Sequence, residues 1–259
     1  MTSMFKNILM RLLLFFIILI FLLPFVGIIL EGFNLNNWNY VLINKKTLSA
    51  IKNTSLIAII AVFINIILGT PVASYIGQND FKGKSIIETI ILLPLIIPAF
   101  VTTMGIQFFF IQLNLIETFL GVGIVHSLIT FPYYIRTLSS GYSTLNKDYE
   151  KMATIMGANS FQIFFKINLP ILLPTFITAI SFVIIVSFSQ YLITLIIGGG
   201  EIITIPILMF PFISGGDFKI GAVYSIIYIV INMIFILFIE KSIQNFFYTS
   251  KEKNNNGNN

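Results

Sequence analysis

The side chains that could do chemistry are few and far apart. His126 is the only histidine, cysteine is absent, and ten carboxylates are spread over 259 residues. A histidine inside an apolar run could serve a proton relay or a pore ligand. No second His or carboxylate stands three or four residues away to complete a metal site, so His126 reads better as a helix-packing residue. The lack of cysteine removes thiol catalysis, Cys-ligated zinc and iron–sulfur clusters. Neither a His-Glu-x-x-His nor a Gly-x-Ser-x-Gly pattern occurs. The stretch Gly77–Ser85, GQNDFKGKS, ends like a phosphate-cradling loop, but five residues separate its glycines where four are required. It also joins two apolar runs, with no soluble strand before it. The residues therefore predict no catalytic group, no metal and no cofactor bound by this chain, and no like-charge run suggests nucleic acid.

Two groups of residues carry more. In SFSQY, Ser187, Gln190 and Tyr191 place hydroxyl and amide groups inside an apolar run, where they could line a solute path or simply bond neighbouring helices. The polar segment Ser143–Pro174 is the other. Asn146 can cap a helix whose first turn holds Asp148 and Glu150, where carboxylates meet the positive dipole end. Met152, Ile155 and Met156 share one face, and Gly157 can end the helix in the left-handed conformation. Asn159 or Ser160 can cap a second short helix carrying Phe161, Phe164 and Phe165, with Pro170 breaking the chain before the next apolar run. Such exposed apolar side chains mark a docking surface or a helix lying on headgroups.

The elements that must position these residues are membrane spans. The chain is 57% hydrophobic and only 10% charged, against roughly 25% charged in soluble domains. Uncharged runs cover Leu12–Leu30, Thr54–Gln78, Thr89–Ile116, Thr118–Ile135, Ile167–Gly200 and Ile220–Ile239, each near or above the about 20 residues a crossing needs. The expected fold is thus all-α and polytopic, with about six transmembrane helices. The third and fifth runs are longer than one crossing requires. Residues Ile202–Gly216, with two prolines and two glycines, suit an external or partly inserted segment. With the N-terminus inside, eleven Lys and Arg fall on inner segments and four on outer ones, which favours N-in and C-in. Residues 1–52 read as a first span and outer loop, 53–240 as the core, and 241–259 as a disordered cytoplasmic tail. No span carries an ionisable residue near mid-depth, which argues against a stand-alone secondary carrier or channel.

The inner segment resembles the EAA loop of the permease subunits of binding-protein-dependent ABC importers. That motif runs Glu-Ala-Ala, three residues, Gly, nine residues, Ile-x-Leu-Pro. Ala153, Gly157, Ile167, Leu169 and Pro170 stand at its spacing, with Met156 and Ala158 flanking the glycine. Lys151 and Met152 replace the motif's Glu and first Ala, and Glu150 lies one residue early, about 100° round the helix. Weaker likenesses extend from about residue 53 to 240. The resemblance implies a type I importer permease with a cytoplasmic coupling helix, in the bacterial cytoplasmic membrane. It implies a separate ATPase that uses the ATP, a second permease (a different chain more readily than a second copy) and an extracytoplasmic solute-binding protein. The expected cargo is a small polar solute of the polyamine, thiamine or iron type.

Overall fold

A computed structural model describes residues 2–33 and 35–256. In chain order it contains α1 (Thr2–Glu31), α2 (Leu35–Ile43), α3 (Lys45–Ile64), a π turn (Asn65–Gly69) and α4 (Thr70–Gln78). Then come α5 (Lys84–Ile96), α6 (Ala99–Gln112), α7 (Phe119–Thr144), α8 (Lys147–Ile155), α9 (Ser160–Ile163), a second π turn (Phe164–Asn168) and α10 (Leu169–Ile171). The chain continues through α11 (Leu173–Phe188), α12 (Leu192–Ile197), α13 (Ile205–Ser214) and α14 (Phe218–Asn256). No strand occurs among the described residues.

Three helices are single apolar spans by length and composition: Leu9–Glu31, Lys45–Gln78 and Phe218–Asn245. The third and fifth expected spans are instead broken helices, bent by 98° between α5 and α6 and by 83° between α10 and α11. Proline explains the first break: Ile97 is held extended ahead of Pro98, because a proline ring disfavours helical backbone in the preceding residue. The second break corrects the expectation that the chain breaks at Pro170. It falls at Leu172, with Pro174 in the first turn of α11. The π turn before Pro170, where the Leu169 N–H reaches back to the Phe164 carbonyl, gives the ring room that a regular α turn lacks. The run Thr118–Ile135 becomes the 26-residue α7, the helix around which α3, α4 and α11 pack. Helix α13, with ten residues, spans about 15 Å and is too short to cross. At the C-terminus α14 continues beyond 240 to Asn256, carrying a Gln244–Glu240 side-chain bond of 3.2 Å. The boundary expected at 241 is thus no break in the helix, and residues 257–259 lie outside the described residues.

Small side chains let these helices approach closely. Ala50, Thr54, Ala58, Ala61, Asn65, Gly69, Ala73 and Gly77 form one stripe along α3 and α4, a spacing that brings backbones together in lipid. A Cβ on Gly69 would lie 2.7 Å from the Tyr134 ring, and one on Gly77 would overlap the Ser139 carbonyl oxygen. Polar side chains then bond across the contact. Asn65 Nδ2 donates to Ala61 O (2.8 Å), Ser127 Oγ (3.2 Å) and Thr130 Oγ1 (2.9 Å), and the Thr70 and Tyr134 hydroxyls lie 2.8 Å apart. A core of Tyr134, Leu138, Phe176, Val183 and Phe188 fills the space beside α7.

Candidate functional site

The segment Ser143–Pro174 folds as its local signals dictate. Asn146 Oδ1 accepts from the Asp148 N–H at 2.9 Å, capping α8, with Asp148 and Glu150 in the first turn. The helix ends in a Schellman motif: the Ala158 N–H reaches the Ala153 carbonyl and the Gly157 N–H the Thr154 carbonyl, both at 3.0 Å. Gly157 has φ +86°, the left-handed conformation such a turn requires. Asn159 then caps α9 in a reciprocal capping box with Gln162.

This geometry exposes an apolar plate. Met152 is 62% exposed, and Ile155 and Met156 each 85%. Met152, Ala153, Met156, Ile167 and Pro170 line one groove of about 310 Å³ with Tyr149 and Lys166. The two halves of the expected loop, some fourteen positions apart, therefore build one surface. Leu169 turns the other way and packs against the core, while Gly157 and Ala158 form the turn itself. Lys151 points outward and pairs with Asp148 at 3.2 Å, an exposed i,i+3 contact worth little.

Glu150 does something its sequence position does not disclose. Its Oε1 accepts from Gln78 Nε2, at the end of α4, and from Asn168 Nδ2, in the second π turn, both at 2.8 Å. One carboxylate oxygen thus joins α8 to two membrane helices, and a nearby Lys147 Nζ contact to Asn79 Oδ1 (3.3 Å) adds a third tie. Gln78 and Asn168 were not among the expected site residues. A polar residue closing an apolar helix (Gln78) and an Asn inside FFKINLP were the available signals.

The three expected path residues lie within one turn, the Gln190 N–H bonding the Ser187 carbonyl at 3.3 Å, and their side chains make separate contacts. Ser187 is buried, its Oγ 2.9 Å from His126 Nδ1, while His126 Nε2 lies 2.9 Å from Thr194 Oγ1. His126 is accordingly a bridge between α7, α11 and α12. Gln190 Nε2 bonds back to the Val186 carbonyl at 3.1 Å, and the Tyr191 ring stacks on Phe210 with centroids 4.3 Å apart. Among the described residues no group of three His, Cys, Asp or Glu could hold a metal.

Comparison with known proteins agrees with this architecture. The chain is 28% identical over 129 residues to the molybdate/tungstate transport system permease protein WtpB of Pyrococcus abyssi, covering 49% of this chain and 51% of that protein. The chain thus spans about half the length of that relative. It is 25% identical over 182 residues to the sulfate transport system permease protein CysT of Escherichia coli, covering 65% and 66%. Its fold is similar to a chain of a bacterial ABC transporter involved in the import of the acidic polysaccharide alginate, with a TM-score of 0.73 over 93% of this chain and 97% of that one, at 16% identity. The profile of the binding-protein-dependent transport system inner membrane component family matches residues 69–245. With a bent-helix membrane bundle and an exposed Gly-turned plate inside that span, the chain belongs to this family of importer permeases.

Proposed function

We propose that this chain is a permease subunit of an ATP-driven importer, set N-in and C-in in a bacterial cytoplasmic membrane and moved by a separate ATPase. The observation that carries the reading is the groove between α8 and residues 166–171. An exposed apolar plate on a short, capped, stiffly tied helix suits a part that is gripped and pushed by a soluble partner. ATP is bound by that partner, and this chain supplies neither catalysis nor a cofactor site. The family description implies a solute-binding protein on the outer side. We further propose a second permease, a different chain, completing the pathway.

The expected polyamine, thiamine or iron cargo gives way to another proposal. The relatives are named for molybdate, tungstate and sulfate transport, so we assign a small tetrahedral oxyanion to this chain. Nothing in the fold favours a stand-alone carrier. The test is co-purification in detergent: the wild-type chain retains its ATPase, and a Met152→Ser/Met156→Ser double variant of equal abundance loses most of it. Equal ATPase retention by the double variant, with uptake intact, would overturn the docking assignment.

A further inference from the structure

A cavity of about 460 Å³ opens between α4, α5 and α7 on the side of the bundle that carries α8. It is unlike the apolar groove. Lys84 and Arg136 line it with the hydroxyl residues Ser85, Ser139, Ser140 and Ser143. One carboxylate, Glu88, shares the wall. The sequence uses arginine twice, and one of the two faces this cavity.

Two of the charges there are left without an internal ion pair. Ion pairs among the described residues are Lys84–Asp80 and Lys151–Asp148, so Arg136 and Glu88 form none although they line the same space. Lys84 Nζ touches the Asn79 carbonyl (3.1 Å) and Asp80 Oδ1 (3.3 Å). The Asp80 side chain is fully exposed, so that pair is screened and holds the ammonium weakly, while the Asn79 carbonyl takes one of its three N–H donors. A planar guanidinium presents a fork of N–H donors matched to two oxygens of a tetrahedral anion.

We propose that this cavity is an oxyanion site at the inner mouth, where Arg136 and Lys84 hold an XO₄ anion or a phosphate group. The proposal rests on the oxyanion reading above and adds the residues that would meet the anion as it leaves. The design fits transit: a pathway site must bind firmly enough to fill and weakly enough to empty. Arg136 is exposed, so the anion keeps much of its hydration, and Glu88 on the same wall opposes tight retention. A deeply buried Arg cage would instead trap its cargo.

Two sources share this chemistry: a free oxyanion, or the phosphate of an anionic lipid. The test uses the purified permease–ATPase complex without binding protein, in nanodiscs of phosphatidylcholine alone or with phosphatidylglycerol. Radiolabelled molybdate and sulfate are the free-anion probes, and retention of phosphatidylglycerol is the lipid probe. Arg136→Gln weakens the binding by about tenfold or more, the loss of one charge-assisted contact, and Arg136→Lys restores part of it. Glu88→Gln tightens it. ATPase retention and elution profile serve as folding controls. Free-anion binding lost in Arg136→Gln identifies the cargo as the occupant; lipid retention lost in that variant, with no free-anion binding, identifies a headgroup. Indifference of both probes to Arg136 overturns the site. If the wild-type complex, reconstituted with its solute-binding protein in sealed proteoliposomes, imports neither anion yet binds them through Arg136 in nanodiscs, the cargo reading is overturned and the site stands.

Discussion

Replacing Glu150 by alanine removes one oxygen that two donors share. Each bond to Oε1 is 2.8 Å and charge-assisted, a type worth about 1.5–3 kcal/mol when its partners are desolvated. Glu150 is only half-buried, so the lower end applies, and the pair together contributes about 3 kcal/mol to seating α8 on the bundle. Asn168 aggravates the loss: it is buried, and its Oδ1 already lacks a partner, so the variant strands both ends of its amide. About 3 kcal/mol is roughly a hundredfold change in the ratio of seated to loosened α8. In proteoliposomes Glu150→Ala is expected to keep ATP hydrolysis but lose uptake, because a loosened plate moves without moving α4 and the α9–α11 segment. Amide exchange over residues 147–155 should accelerate in parallel. Glu150→Gln, which keeps an acceptor oxygen without the charge, should fall between the two. Full uptake and unchanged exchange in Glu150→Ala would refute the strut.

Gly157 lies in open space, where an added Cβ would meet nothing within 4 Å, so substitution there costs backbone strain alone, about 1–2 kcal/mol for an L-residue. Gly157→Asn should therefore be mild, Gly157→Ala intermediate, and Gly157→Asp, which adds a charge to the docking turn, should abolish uptake while membrane insertion persists; full uptake by the Asp variant at normal abundance contradicts the turn's role. His126→Leu deletes two interhelical bonds, each worth about 0.6 kcal/mol in membranes. It should lower Tm by a few degrees and leave the pH profile of uptake unchanged. A flattened profile at normal abundance would show instead that the imidazole carries protons.

What could be read from the sequence was whatever is local. Asn146, Gly157 and Asn159 act within four residues of themselves, and each stands where its type requires. The destination of Glu150 was hidden because its partners lie 72 and 18 positions away, and no helical period connects them. Misplacing the fifth-span break at Pro170 had a similar origin. A proline announces that something must yield, but a preceding π turn can absorb the strain and move the bend to Leu172. Ser187 shows a different limit. A hydroxyl in an apolar run looks the same in sequence whether it faces a path or a histidine, and only the approach of α7 to α11 decides.

The helix from Lys45 to Gln78 is a single 34-residue rod, about 50 Å long across a hydrocarbon layer of about 30 Å. In its N-terminal part Asn53 Nδ2 donates to the Ile203 carbonyl at 2.9 Å, and Thr54 Oγ1 accepts the Ile205 N–H at 3.0 Å. At its C-terminal end Gln78 donates to Glu150. The loop before α13 and the exposed plate of α8 are thus fastened to opposite parts of one rod. Linkage then has to be reciprocal: whatever free energy a partner at the loop before α13 exerts on the plate, the plate exerts back on that partner. On the proposed reading, with an ATPase on the plate and a solute-binding protein at the loop before α13, the tightness of engagement at that loop would report on the state of the ATPase, with no contact between the two.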